Sequence, residues 1–320
     1  MYQDKGKAVR PLTVHSSFQY ILPYLPPELQ QPLMKLQEPD TVQEIRLRNG
    51  RSMQIIRQGQ AYTVTRAGSL TAPEQNGIPV TGQVLDTVFR NLCAQSVHSF
   101  QDAIRQGYLP LAGGNRAGLC GTAVLRGGVT ESVRDISSIN LRIASERTGC
   151  AEALASEIGD PRQSGGILIA GPPASGKTTV LRDLARIFGG RMRVCIPDER
   201  GELAAVRNGV PQFQVGAQTD VFDGYPTAEA IAAAIRVMSP ELLICDELGG
   251  EHETDSLLSS VHSGVTLIVS AHAADLRTLQ LRPQIRRLID AGMFRLGFLL
   301  GTGERCGQVT GKTVFGRDNE

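Results

Sequence analysis

The clearest chemistry in this sequence lies in a glycine-rich loop near its middle. An apolar run, Gly166-Ile-Leu-Ile-Ala170, leads into the pattern G-x-x-x-x-G-K-T, and the apolar-periodic segment Thr179–Arg186 follows. Strand, loop and helix in this order are the context in which the pattern binds phosphate. Glycines let backbone N–H groups turn towards phosphate oxygens, and the helix presents its positive N-terminal end to the same anion.

Two side chains of this loop complete a nucleotide site. Lys177 can reach the β- and γ-phosphates, and the Thr178 hydroxyl can ligate Mg²⁺. The sequence therefore predicts that the chain binds ATP together with Mg²⁺. The predicted nucleotide-binding residues of the loop are Gly171, Pro172, Pro173, Ala174, Ser175, Gly176, Lys177, Thr178 and Thr179.

A second candidate segment is an apolar strand that ends in two carboxylates. Leu242–Cys245 is followed by Asp246 and Glu247. At the carboxyl end of a strand, Asp246 would hold Mg²⁺ through water and Glu247 would polarise the attacking water. Charged residues end many ordinary strands, so the upstream loop is what makes this pair a catalytic candidate. The alternative is a degenerate loop that no longer supports hydrolysis.

A third segment brings more acids to the same predicted edge. Arg193–Pro197 is a strand pattern that continues into Asp198-Glu199-Arg200-Gly201-Glu202. Ligands bind outside the carboxyl ends of strands in doubly wound folds, so we expect a second acidic group near the γ-phosphate or Mg²⁺. Glu199 and Glu202 are the favoured members, and the alternative is a solvated loop.

A histidine and an arginine complete the predicted catalytic set. His272 ends a further strand, in the sequence Val269-Ser-Ala-His272. A neutral imidazole there could sense the γ-phosphate. The alternative is an ordinary hydrogen-bonded histidine, which is the usual role of a lone histidine. Arg236 lies on a predicted helix before the Asp246 strand. Pairing with the acids and simple exposure on the helix are equally compatible with its position.

The elements after residue 144 predict the fold that positions these residues. Short apolar strands alternate with helical segments, and several strands are apolar throughout, as expected of a parallel sheet buried on both faces. The strands are Ile167–Ala170, Arg193–Pro197, Leu242–Asp246 and Leu267–Ser270. This βαβ series predicts an α/β, RecA-like P-loop domain over 145–320 with helices on both faces of the sheet. The tail after Gly301 has little periodicity, and we expect it to be disordered.

Residues 1–144 show a different pattern, typical of a small α+β domain with an antiparallel sheet. Val42–Arg48, the Asn49-Gly50 dipeptide and Arg51–Ile56 predict a hairpin, because Asn-Gly is a strong two-residue turn signal. A second tight turn is expected near Gly59. Val84–Leu92 has its apolar residues on one helical face.

Composition limits the possible functions. The chain has 320 residues, enough for two domains, and a net charge of +1, which gives no sign of a nucleic-acid partner. Its six cysteines are scattered without a C-x-x-C pair, so we expect reduced thiols and the cytoplasm. The N-terminus has no apolar signal-peptide core, and no run of about 18 apolar residues predicts a membrane span.

Together these segments resemble the traffic ATPases of type II and type IV secretion systems. Those proteins carry a Walker A loop, an acidic box, a Walker B stretch and a histidine box. The counterparts here, in the same order, are Gly171–Thr178, Asp198–Leu203, Ile235–Gly249 and Ser270–Ala273. One departure is that Asp246-Glu247 stands where the secretion family has Gly-Glu.

More specific matches indicate one branch, the stage III sporulation protein AA family. They include Asn208–Gln212, Met238–Glu241 and the N-terminal Glu44–Arg51. The resemblance implies a cytoplasmic ATPase on the mother-cell side of the channel that joins mother cell and forespore. It also implies a hexameric ring and an inner-membrane platform protein as partner, with no nucleic acid.

A ring would give the N-terminal domain a role in catalysis. P-loop ATPases commonly need a cation that stabilises charge on the transferring phosphoryl group. Arg142, next to the domain junction, is the predicted nucleotide contact, and we expect ATP to close the two domains. The other candidate arginines, any of which could equally be an ordinary surface residue, are Arg46, Arg48, Arg51, Arg105, Arg116 and Arg134.

Three functions stay open at this point. The leading one is a secretion-type motor ATPase that drives assembly of, or transport through, the sporulation channel. The second is a RecA-like nucleic-acid motor, against which the balanced charge argues. The third is an ATP-gated ring scaffold with negligible turnover.

Overall fold

Two seven-stranded sheets organise the chain, one in each of two units that divide between Ser145 and Glu146. The computed structural model describes residues 17–72, 76–93, 107–144, 146–248, 250–259 and 263–316. Each unit has an apolar core of its own. Within the described ranges, no helix has both the length and the apolar character needed to cross a bilayer.

The sheet of the first unit is antiparallel, in the order β5-β4-β3-β1-β9-β8-β7. A separate two-stranded sheet pairs β2 with β6. The strands are β1 Val42–Arg48, β2 Arg51–Ser52, β3 Gln54–Arg57, β4 Gln60–Val64, β5 Leu70–Thr71, β6 Pro79–Val80, β7 Tyr108–Pro110, β8 Arg116–Arg126 and β9 Val129–Arg142. The helices are α1 Pro27–Met34 and α2 Gly82–Leu92, with 3₁₀ turns at Leu22–Tyr24, Pro39–Thr41 and Ala112–Gly114.

Periodicity explains these elements. Ile45 and Leu47 of β1 are buried and alternate with the half-buried Arg46 and Arg48, so the two arginines share one face. Helix α2 starts where the Thr81 hydroxyl accepts a hydrogen bond from the Val84 N–H at 3.4 Å. Its apolar stripe then packs into the core of this unit.

The Asn49-Gly50 hairpin predicted from the sequence is wrong in its register. Strand β1 pairs with β3 rather than with β2, and Arg46 lies opposite Gln54, so the connection is longer than a two-residue turn. The backbone N–H of Asn49 donates instead to the Ser137 carbonyl, and that of Gly50 to the Val80 carbonyl. Tertiary partners therefore override the local turn signal. The turn near Gly59 is a two-residue hairpin, with Arg57 opposite Gln60.

The sheet of the second unit has the order β12-β11-β13-β14-β10-β15-β16. The first six strands pair in parallel, and β16 pairs antiparallel with β15 at the edge. The strands are β10 Ile167–Gly171, β11 Val194–Asp198, β12 Thr219–Asp223, β13 Leu242–Cys245, β14 Thr266–His272, β15 Leu296–Leu300 and β16 Val309–Val314. The predicted α/β class is confirmed.

Helices cover both faces of this sheet. They are α3 Glu152–Ile158, α4 Pro161–Ser164, α5 Lys177–Phe188, α6 Thr227–Ala233, α7 Glu251–Ser259, α8 Leu276–Gln280 and α9 Pro283–Asp290, with a π-helical turn at Ala234–Met238 after α6 and a 3₁₀ turn at Gly303–Arg305. Ile167 and Ile169 pack in one cluster with α3 and α5, whereas Leu168 and Ala170 pack in the other with α6 to α9. The strands are therefore apolar throughout because both of their faces are buried.

The tail after Gly301, expected to be disordered, instead forms β16 through residue 314. The strand follows β15 antiparallel, with Leu296 opposite Val314. Its sequence shows little alternation because most of its side chains are exposed at the sheet edge. Phe315, just beyond it, is buried in the core and anchors the segment.

A test of the tail's position uses Gly297 in β15. A methyl group there would meet Phe315 Cζ at 2.7 Å and Thr313 Cγ2 at 2.8 Å, so Gly297→Ala should lower the free energy of unfolding by about 1–3 kcal/mol. The control is Gly311→Ala in β16, whose added methyl group meets only an ordinary contact, Leu299 Cβ at 3.5 Å. Equal urea midpoints for the two variants would contradict the pairing.

Candidate functional site

The glycine-rich loop joins β10 to α5 at the carboxyl edge of the second sheet. Gly176 is the N-cap of α5, with a φ of +85° that favours glycine, and no side chain caps this helix. The first-turn N–H groups of a helix have no partners within the helix. The loop and the uncapped helix end are thus suited to an anion.

Lys177 carries a positive charge into this loop. Its side chain is buried, and Nζ donates to the carbonyl oxygens of Gly171 at 2.9 Å and Pro172 at 3.0 Å. It also lies 3.0 Å from His272 Nδ1. Burial lowers the pKa of Lys177, while Asp246 and Glu247 oppose that shift. The two loop partners are carbonyl oxygens, which carry no formal charge, so the ammonium is suited to an anionic ligand.

A chain of short hydrogen bonds connects the loop to the carboxylate at the end of β13. The Thr178 hydroxyl donates to Asp246 Oδ2 at 2.6 Å, and the Ser270 hydroxyl donates to Asp246 Oδ1 at 2.6 Å. Ser270 Oγ in turn accepts the backbone N–H of Glu247 at 2.8 Å. The structure therefore brings together Thr178 and Asp246, the two oxygen donors that the sequence assigned to Mg²⁺.

Glu247 lies beside this pair in an unusual conformation. Its φ is +56°, in the left-handed region that a glutamate rarely adopts, and such strain clusters at functional sites. Its carboxylate lies 2.8 Å from Arg200 Nη1 and 3.5 Å from His272 Nε2. Since an ammonium cannot accept a hydrogen bond, His272 Nδ1 accepts from Lys177, which places the proton of a neutral imidazole on Nε2, facing Glu247.

Asp198 has a structural task rather than a catalytic one. Its buried carboxylate accepts three backbone N–H groups, from Glu202 at 2.8 Å, Leu203 at 3.1 Å and Ala204 at 2.8 Å. These bonds fold residues 199–204, which we call the acidic loop, back onto the end of β11. The fixed loop then presents its remaining polar side chains to the cleft.

The P-loop helix holds the acidic loop from its other side. Arg182 of α5 is buried and donates to the carbonyl oxygens of Leu203 at 2.9 Å and Glu202 at 2.5 Å. Its guanidinium stacks 3.7 Å from the ring centroid of Phe213. Burial lowers the pKa of Arg182, while Glu146, Asp198 and other acids oppose that shift. The position of the acidic loop is thus coupled to the helix that starts the phosphate site.

Of the two predicted acids, only Glu202 reaches the phosphate cleft. It lines the cleft that also contains Lys177, Thr178, Asp246, Glu247 and His272, and it lines an adjoining cavity as well. Glu199 lines only the adjoining cavity, where its carboxylate accepts the Thr227 N–H at 3.0 Å and the Thr227 hydroxyl at 2.8 Å. Glu199 therefore binds the start of α6.

The two predicted arginines, Arg236 and Arg142, belong to different units of the chain. Arg236 is exposed in the π-helical turn after α6 and is not among the residues that line the cleft. Arg142 ends β9 in the first unit, with its guanidinium 3.8 Å from Glu44. Arg105 lies outside the described residues. The catalytic roles of Arg236 and Arg142 stay predictions.

Sequence reasoning missed several residues that build the site. Ser270 and Arg200 lie inside segments that carry the family resemblance, and Arg182 lies in the helix after the glycine-rich loop, yet none was given a task. The sequence signal that could have identified these three residues was their position in or next to the motifs. Their partners, however, are set by which strand ends and helices meet in space, and the order of residues along the chain does not contain that information.

The residues present fit a magnesium–nucleotide complex. Hydroxyl and carboxylate oxygens, as offered by Thr178 and Asp246, are the ligands that Mg²⁺ prefers. The buried ammonium and the uncapped helix end suit phosphate. Among the described residues, the buried Ser175 hydroxyl inside the loop has no hydrogen-bond partner, so a polar group of the loop is also left for a ligand.

Comparison with known proteins defines first the class and then the family. The fold is that of the RecA-like secretion ATPases: the crystal structure of the pilus retraction motor PilT with bound ADP aligns with a TM-score of 0.57 and 13% identity, over 85% of this chain and 76% of that one. The family model "Sporulation stage III, protein AA" matches residues 21–317. The chain belongs to the stage III sporulation protein AA family, which confirms the resemblance found in the sequence.

Curated relatives agree with this assignment. The stage III sporulation protein AA of Bacillus subtilis (strain 168) is 36% identical over 261 residues, covering 79% of this chain and 80% of the relative. The uncharacterized protein ycf45 of Cyanidium caldarium is 30% identical over 179 residues, covering 55% of this chain and 52% of the relative.

The structural task of Asp198 can be tested directly. Asp198→Ala removes the acceptor of three N–H groups, so the free energy of unfolding should fall by about 1–3 kcal/mol. Asp220→Ala, at an exposed position of the edge strand β12, is the control and should change stability by no more than about 0.5 kcal/mol. Equal losses in urea unfolding would show that the Asp198 hydrogen bonds do not hold the acidic loop.

Proposed function

We propose that this chain binds Mg·ATP in the cleft of its second unit and hydrolyses it. The observation that supports this most strongly is the contact between Thr178 and Asp246 beside the buried Lys177. A phosphate-binding lysine, a hydroxyl and a carboxylate placed together are the parts that P-loop hydrolases use. Fold alone would not support hydrolysis, since one fold carries many functions.

Each residue of the cleft has a proposed task. Lys177 and the backbone N–H groups of residues 174–179 bind the phosphates. Thr178 and Asp246 hold Mg²⁺, which neutralises charge on the phosphates when bound. Glu247 orients and polarises the attacking water. Ser270 fixes the Asp246 carboxylate, to which it donates, and the Glu247 backbone, whose N–H it accepts.

The remaining candidates act around this centre. His272 links Lys177 to Glu247, so a change at the phosphate end of the cleft can reach the catalytic carboxylate. Glu202 supplies the second acidic group of the cleft, whereas Glu199 holds the start of α6, and Arg236 and Arg142 are further candidate cations.

The work done with ATP is proposed from the family. Family membership and the secretion-ATPase fold support a motor that energises or assembles the sporulation channel between mother cell and forespore. Such a motor would be a homo-oligomer, with six subunits the expected number, in the cytoplasm of the mother cell. It would act on an inner-membrane platform protein and not on nucleic acid.

Turnover measurements test this proposal. We expect wild-type protein to hydrolyse Mg·ATP, with turnover per subunit rising with protein concentration as subunits assemble. Lys177→Ala should lose nucleotide binding, and Glu247→Gln should keep binding while its turnover falls by a factor of roughly 100 or more, the size of a lost general base. The matched controls are Lys35→Ala and Glu251→Gln, exposed residues outside the cleft.

Two other results would change the proposal. Tight Mg·ATP binding that depends on Lys177, without turnover at any concentration, would indicate an ATP-gated scaffold or a motor that requires its membrane partner. Turnover that survives in both Lys177→Ala and Glu247→Gln would contradict the assignment of the site.

A further inference from the structure

Arg200 reaches the cleft from an anchored piece of backbone. It lies in the acidic loop between β11 and Glu202, and that loop is fixed by the Asp198 carboxylate and by Arg182. The Arg200 side chain is nevertheless 69% exposed. A fixed main chain with a solvated guanidinium allows the side chain to change partners at little cost.

The guanidinium contacts the proposed catalytic carboxylate. Arg200 Nη1 lies 2.8 Å from Glu247 Oε2, and Glu247 Oε1 lies 3.5 Å from His272 Nε2. Both oxygens of Glu247 therefore face donors of the protein. Glu247 is 41% exposed, and ion pairs between such exposed groups contribute only about 0–1 kcal/mol. A ligand with more negative charge can therefore displace Glu247 from Arg200.

A terminal phosphate is a ligand of that kind. Arg200 lines the same cleft as Lys177 and Thr178, so it lies within the proposed phosphate site. Arginine binds phosphate with two parallel hydrogen bonds, which a phosphate carrying more than one charge strengthens. A carboxylate freed from a guanidinium has its lone pairs available for water, as a general base requires.

We infer that Arg200 exchanges Glu247 for the terminal phosphate of a bound nucleoside triphosphate. By this exchange the protein distinguishes triphosphate from diphosphate and frees Glu247 for water only when the third phosphate is present. Arg200 also brings a cation to the transferring group from within the same subunit. This inference rests on the proposed nucleotide site but does not require a ring.

Binding measurements test the exchange without relying on turnover. Dissociation constants for Mg·ATPγS and Mg·ADP are measured for wild type, Arg200→Ala, Arg200→Lys, Glu247→Gln and the Arg200→Ala/Glu247→Gln double variant. Arg200→Ala should weaken ATPγS roughly ten- to a hundredfold, as expected for a charged hydrogen bond, and leave ADP nearly unchanged. Arg200→Lys, which keeps the charge but not the paired geometry, should retain part of the preference.

The double variant gives the sharpest result. Glu247→Gln alone should tighten ATPγS roughly two- to fivefold, because the competing ion pair is gone, and this gain should vanish when Arg200 is absent. Arg207→Ala, an exposed arginine farther along the same connection and not among the residues that line the cleft, is the control for lost positive charge.

The possible failures are distinguishable. Equal weakening of ATPγS and ADP by Arg200→Ala, or a Glu247→Gln gain that persists without Arg200, would overturn the exchange while leaving the nucleotide site intact. A wild-type protein that binds neither nucleotide would overturn the proposed function and this inference together.

Discussion

The site depends on one constraint, the burial of the positively charged side chain of Lys177. Burial disfavours the ammonium of Lys177 and lowers its pKa, yet carbonyl oxygens of the loop and the His272 imidazole hold it in place. Such a charge costs free energy unless an opposite charge approaches it. The loop, α5 and β14 are arranged around this buried cation.

The parallel sheet makes this arrangement possible. Strands β10, β11, β13 and β14 run in the same direction, so the residues that follow or end them meet at one edge. The acids gathered there differ in task because their surroundings differ. The Asp198 carboxylate accepts backbone N–H groups, and the Glu199 carboxylate accepts hydrogen bonds at the start of α6. Asp246 and Glu247 instead line the cleft together with Thr178 and Lys177.

Sequence reasoning predicted the parts of this structure that local pattern encodes. The glycine-rich loop, the apolar strands of the second unit and the α/β class follow from short-range spacing, and they agree with the structure. The two-residue hairpin at Asn49-Gly50 and the disorder expected after Gly301 were wrong, because partners distant in sequence decide both: Ser137 and Val80 for the hairpin, β15 for the tail. Side-chain pairing within the site, such as Arg200 with Glu247, likewise required the fold.

The most direct test of this account replaces Lys177 by methionine, which removes the charge but keeps an apolar stem of similar length. The carbonyl oxygens of Gly171 and Pro172 would still accept the N–H groups of Ala273 and Ser175. Thermal unfolding should then show nucleotide-free Lys177→Met to be more stable than wild type, and Mg·ATPγS should raise the midpoint of the wild type alone. A variant that is less stable than wild type, yet still stabilised by Mg·ATPγS, would contradict the claim that the buried ammonium is kept for phosphate.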